Sequence, residues 1–145
     1  MRRSVVTIAL VVVALLLASC AGGYTTTGGS TRSGYAGGNG WIEVTAKTAN
    51  GTISESIDEE NESLDSVLMS GDVLECDVTL TAGGGTFKIE LLGADDAVTL
   101  TLESTDGKTV SGHGQIVANA FADAAYRVTA VEAKDVSYRI DYTLQ

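Results

Sequence analysis

From Trp41 onward, apolar and polar residues alternate one for one in several segments. In residues 73–81, Leu74, Cys76, Val78 and Leu80 share one face while Glu75, Asp77, Thr79 and Thr81 share the other. Residues 86–92 repeat the pattern with Phe87, Ile89 and Leu91 inward, and residues 97–104 with Val98, Leu100 and Leu102. Residues 126–131 and 136–144 continue it, the last with Val136, Tyr138, Ile140, Tyr142 and Leu144 on one side. A period of two with β-branched enrichment predicts half-buried strands. Residues 41–48 and 108–117 read as strands as well. Ala82-Gly83-Gly84-Gly85 reads as a hairpin loop, Asp106-Gly107 as a type I′ turn, and Asn50-Gly51 as a third turn. About seven to nine short strands at roughly 8–12-residue spacing predict an all-β domain, an antiparallel β-sandwich or jelly roll. Residues 118–125 (ANAFADAA) have the propensity for about two helical turns. The 105 residues from Trp41 onward are enough to bury a core without a disulfide.

The first 19 residues have another character. Arg2 and Arg3 precede a 13-residue apolar run, residues 5–17. That run is shorter than the ~20 residues of a spanning helix and fits the apolar region of a secretory signal. The tetrapeptide that follows, Leu17-Ala18-Ser19-Cys20, resembles the lipobox of bacterial lipoproteins. The resemblance implies cleavage between Ser19 and Cys20 and acylation of the Cys20 thiol. It implies membrane lipid as a partner and a place in the cell envelope, outside the cytoplasm. Ala21, where an Asp would direct inner-membrane retention, implies the outer membrane or cell surface. Two acyl chains anchor stably where one binds only reversibly. The competing readings are an ordinary cleaved signal and an uncleaved anchor. Arg2-Arg3 lacks the flanking residues of a twin-arginine signal. Residues 21–40 hold eight Gly and no apolar period, so they read as a flexible linker with a reach of ~25 Å. The resulting organisation is signal 1–19, lipidated Cys and linker 20–40, and β-sandwich 41–145.

Charge narrows the function classes. Two of the nine Lys and Arg lie in the signal and all 19 acidic residues lie beyond it, so residues 20–145 carry a formal charge of -12. Nucleic acid is excluded as a partner, because binding phosphates needs clustered Lys and Arg. One His and two Cys cannot close a zinc site. The charge favours partners with basic patches and repels anionic headgroups and polymers.

Three sets of side chains are candidates for chemistry. Cys76 points inward among Leu74 and Val78, where a thiol packs as a small hydrophobe, and Glu75 and Asp77 beside it disfavour a thiolate. An intermolecular disulfide is the alternative for this odd Cys. His113, within Ser111-Gly112-His113-Gly114-Gln115, lies on the polar side of its strand with no nucleophile motif in the chain. Asp58, Glu59, Glu60, Glu62 and Asp65 put five carboxylates in eight residues. Oxygen ligands of this kind suit Ca²⁺, but the spacing and glycine of an EF-hand are missing, so the run reads first as a solvated acidic loop. Asp95-Asp96 reads as a turn. Two carboxylates at a set distance would serve a glycosidase, yet one Trp and two Phe give little aromatic platform for a cleft.

From about Gly71 onward, the VTLTAGG stretch and the paired AYRVTA and SYRIDY segments resemble small β-sandwich modules of secreted bacterial proteins, the pre-peptidase C-terminal type among them. This resemblance implies fold class and carries no catalytic residue. The sequence therefore reads as a lipid-anchored, non-enzymatic β-sandwich without a cofactor, acting on an unknown protein or glycan partner or serving envelope architecture. A calcium-dependent or carbohydrate-binding module is the competing reading, and a small hydrolase using a carboxylate pair the third.

Overall fold

The structure, a computed structural model, describes residues 23–145. The signal, Ser19 and Cys20 lie outside the described residues. No helix among the described residues is long and apolar enough to cross a membrane. Seven strands form one antiparallel sheet: β1 (Thr25–Thr27), β2 (Ser30–Ala36), β3 (Asn39–Ser56), β4 (Val73–Leu92), β5 (Val98–Thr105), β6 (Thr109–Val117) and β7 (Ala125–Leu144). The hydrogen-bonded order is β1-β3-β7-β4-β5, with β2 beside β3 and β6 beside β4.

Strands β3, β4 and β7 run for 18, 20 and 20 residues and bend at one common level. There Ala49 pairs with Ala133 but Gly51 with Ala130, and Gly84 with Lys134 but Thr86 with Val131. Strand β7 thus carries one more residue than either neighbour, a bulge that bends and twists the sheet. Gly85 has φ +65° at this level, and a Cβ there would overlap the Glu132 carbonyl oxygen, so only glycine fits. The sheet creases along this line into two layers. The first holds β2, residues 39–49 of β3, 136–144 of β7, 73–82 of β4, and β6. The second holds residues 51–56 of β3, 125–131 of β7, 86–92 of β4, and β5. Their inner faces meet where Phe87 stacks on Tyr138 at 5.7 Å and Tyr126 meets Tyr138 edge-on at 6.0 Å. The all-β sandwich is as the alternation predicts.

Four local expectations are corrected. Ala82–Gly85 is no hairpin loop and Asn50-Gly51 no turn, because both lie inside continuous strands and their glycines serve the crease. Residues 126–131 and 136–144 are likewise one strand. Asp106 and Gly107 do make a turn with positive φ at both positions, 51° and 76°. Yet β5 and β6, which it joins, lie in opposite layers and each pairs with β4. Residues 118–125 are not helical: the Asn119 side-chain oxygen accepts from the N–H of Phe121 at 2.9 Å and of Asp123 at 3.0 Å, and Ala122 takes φ 64°. Such local bonds compete with a helix.

The Gly-rich stretch also departs from a free linker, since β1 and β2 pair along β3. Tyr24 and Tyr35 pack against the core, Tyr35 stacking on Tyr142 at 6.4 Å. Ladder hydrogen bonds and two half-buried rings together offset the ordering entropy that composition alone cannot.

Candidate functional site

The five-stranded layer turns a continuous row-by-row array outward. Antiparallel register aligns His113, Asp77, Asp141, Trp41 and Gly34 in one row across β6, β4, β7, β3 and β2. The row on one side reads Gln115, Glu75, Thr143, Asn39; the row on the other reads Ser111, Thr79, Arg139, Glu43, Arg32. Alternation put these side chains outward, and rigid strands fix their spacing.

Trp41 lies across Gly34, where a Cβ would come within 2.8 Å of the indole nitrogen. The Arg139 guanidinium caps the ring, its Cζ 4.8 Å from the centroid. Arg139 is held there by Asp141, which accepts from Nε at 2.8 Å and from Nη2 at 2.7 Å, and by Glu43 at 3.4 Å. Hydrogen bonds to Asp141 raise the Arg139 pKa further above its ordinary value. Stacking on Trp and pairing with carboxylates make this residue a fixed, oriented donor.

His113 forms the second cluster. Its Nδ1 is 2.9 Å from Asp77 Oδ1 and its Nε2 is 3.0 Å from Glu75 Oε2, while the Gln115 amide donates to Glu75 at 2.5 Å. Both ring nitrogens face carboxylate oxygens, an arrangement fully satisfied only when both carry protons. The hydrogen bonds to Asp77 and then Glu75 accordingly push the His113 pKa above 6.5. Its flanking residues, Gly112 and Gly114, face inward, and a Cβ on Gly114 would meet Leu100 Cβ at 2.7 Å. They mark close packing of β6 on β5. A cleft of about 410 Å³ runs along this part of the face, lined by Asn39, Glu75, Asp77, His113, Asp141 and Gln145. A cleft of about 550 Å³ lies at the crease against Asn50, Gly85, Glu132 and Lys134, but no aromatic residue lines it.

The other candidates fall elsewhere. Cys76 is fully buried, its Sγ 3.4 Å from the Leu74 carbonyl, and burial pushes its pKa up to about 12. The acidic run forms two short helices, α1 (Ile57–Glu60) and α2 (Glu62–Asp65), in place of a loop. Asp58 is buried and accepts from Ser56 Oγ and the Ala124 N–H, both at 3.0 Å, so it is structural. Among the described residues no group of three or more His, Cys, Asp or Glu side chains is arranged to hold a metal ion. Asp95 and Asp96 form a turn with positive φ at both positions, 55° and 58°.

Trp41, Arg139, Asp141 and Glu43 are absent from the sequence candidates. The signal was the single Trp on the polar side of a strand whose other side is Ile42, Val44 and Ala46. Glu55 is another omission: it shares the inward row of β3 with Ile53 and pairs across from Tyr126. Burial, then Glu60 and Glu59, push its pKa up to about 7.

No protein-family model matches the chain, and no curated protein matches it in sequence. Solved structures do share its outline. The CBM22-1 xylan-binding domain from Paenibacillus barcinonensis Xyn10C is 16% identical, with 83% of this chain and 85% of that one covered at a TM-score of 0.41. A pilus structure of Bacillus endospore appendages is 15% identical over 83% and 92%, TM-score 0.39. A carbohydrate-binding module from the Cellvibrio mixtus lichenase 5A is 12% identical over 83% and 87%, TM-score 0.32. At these scores the likeness carries no argument about ligand.

Proposed function

We propose that this chain is an envelope lipoprotein, held by an acylated Cys20, whose β-sandwich is a non-catalytic module binding a saccharide across the outer face of the five-stranded layer. One observation carries the reading: the chain's single Trp lies on that face, in register with Arg139, Asp141, Asp77 and His113. A saccharide offers hydroxyls to carboxylates, guanidinium and amides, and apolar C–H groups to the edge of the aromatic ring that Gly34 and Arg139 leave uncovered. An aromatic with a few convergent polar groups on rigid strands suits such a ligand. The formal charge of residues 20–145, -12, favours a neutral or amine-bearing glycan over a polyanion. Every carboxylate described on this face has a partner, Glu75 and Asp77 in His113 and Asp141 and Glu43 in Arg139, which leaves no pair free for acid–base hydrolysis.

Because Trp41 is the only Trp, its fluorescence reads the site directly. Titration with xylan, mannan, β-glucan, chitosan and peptidoglycan oligosaccharides should give a saturable emission change for at least one. Calorimetry should then show about tenfold or greater weakening in Trp41→Ala and none in Thr101→Ala, which lies on the opposite layer. A silent panel, or a Trp41→Ala variant that binds as well, rejects the glycan reading. The anchor is tested separately: Cys20→Ser should leave the envelope fraction and lose the acyl mass, and a variant that still fractionates with membranes rejects it.

A further inference from the structure

The end of the sandwich away from the crease exposes Phe121, Met69 and Val67, at 86%, 67% and 46% of their full surface. They sit on two loops bonded to each other: the Gly71 N–H donates to the Ala118 carbonyl at 3.0 Å and the Ala118 N–H to the Asp72 carbonyl at 2.9 Å. Each loop is also fixed internally. Asn119 holds the crown that carries Phe121 through bonds to Phe121, Ala122 and Asp123, and the Asp72 carboxylate accepts from the Met69 N–H at 2.8 Å. A large aromatic held out in water by a formed loop loses little further entropy when it is covered.

The surroundings say what covers it. The segments at this end, residues 57–72, 93–97 and 117–124, contain no Lys or Arg, yet they carry Glu59, Glu60, Glu62 and Asp65 of the acidic run together with Asp72, Asp95, Asp96 and Asp123. None of these acids is ion-paired among the described residues. Lys47, Lys108 and Lys134 lie instead toward the crease, the end at which the chain enters at Gly23. We infer that the Phe121–Met69 end is a docking surface for a cationic amphipathic protein segment, whose apolar side chains cover Phe121 and Met69 while its Lys and Arg meet the surrounding carboxylates. Unpaired acids around an apolar patch repel an anionic bilayer and a second copy of this end, and attract a basic partner. The surface is separate from the saccharide face.

The test uses the purified full chain and an 18-residue helical peptide of Leu and Lys in amphipathic order as probe, followed by anisotropy. Binding should weaken about tenfold or more in Phe121→Ser/Met69→Ser, as expected for loss of a buried Phe. It should weaken on raising NaCl from 50 to 500 mM and persist in Trp41→Ala, which separates it from the glycan reading. Both substituted side chains are exposed, so the variant keeps the thermal melt of the parent. Equal binding by the double variant, or by a peptide with Ser replacing every Leu, would reduce the interaction to charge alone and overturn the proposal. So would Phe121-dependent binding to 4:1 phosphatidylcholine–phosphatidylglycerol vesicles, which would make the surface a membrane contact.

Discussion

Glu55→Gln should make this domain more stable, and only above the pH at which the carboxyl ionises. Glu55 stands in the inward row of β3, two residues beyond Ile53 and opposite Tyr126. Burial, with Glu60 and Glu59 adding like charge, raises its pKa from 4.5 to about 7. A carboxyl with a folded pKa above its unfolded one binds a proton more tightly in the native state, so stability falls as pH rises from 4.5 through about 7. At ~1.4 kcal/mol per pH unit the gap corresponds to about 3 kcal/mol. Water reaches the outer side of this half-buried carboxyl and screens its charge, which leaves about 1.5 kcal/mol. Gln keeps the shape and hydrogen-bonding capacity without the charge. Urea unfolding followed by Trp41 fluorescence should therefore show Glu55→Gln more stable by about 1.5 kcal/mol at pH 8, with most of that gain gone at pH 5. An equal difference at both pH values, or a less stable variant at pH 8, would refute the assignment of the charge to this buried row.

Gly114→Ala should cost about 1–3 kcal/mol in the same assay, because its Cβ meets the Leu100 Cβ, which cannot turn aside, at 2.7 Å. Gly112→Ala should cost less, since its nearest neighbour, at 3.0 Å, is the mobile end of Leu102. For His113, an NMR titration of the ring should give a pKa above 6.5, and Asp77→Asn should lower it. The raised pKa means the His113 contribution to stability is complete below pH 6.5 and is lost as pH rises through the folded value, so His113→Gln should flatten that limb. Cys76, pushed up to about 12, should resist iodoacetamide at pH 8 in the native protein and react within minutes in urea.

Alternation alone places Leu74, Cys76, Val78 and Leu80 together, and all four are buried at 1% exposure or less. The same rule holds for Glu55, whose inward position is legible between two isoleucines once charge is not taken as proof of exposure. Trp41 was legible in the same way, as an aromatic residue on a polar strand side. What local pattern does not resolve is the difference between a glycine that turns a chain and one that lets a strand bend. Ala82–Gly85 fits both, and only the partner strand, Val131–Lys134 of β7 with its additional residue, decides. Pairing of β1 and β2 with β3 is likewise set by tyrosines meeting a core formed elsewhere in the chain. The Asn119 loop fails as a helix for a purely local reason, a side-chain oxygen that takes two backbone donors, which summed propensity does not contain.

Three strands that each pass through both layers make the two halves of this sandwich mechanically one object. A slip of one residue anywhere along β3 or β4 would turn core side chains to water in both layers together. The added residue in β7 is a place where such an error can be absorbed locally, because its ladders with both neighbours are already broken there. Length variation in this chain is therefore tolerated at the fold line and punished a few residues to either side.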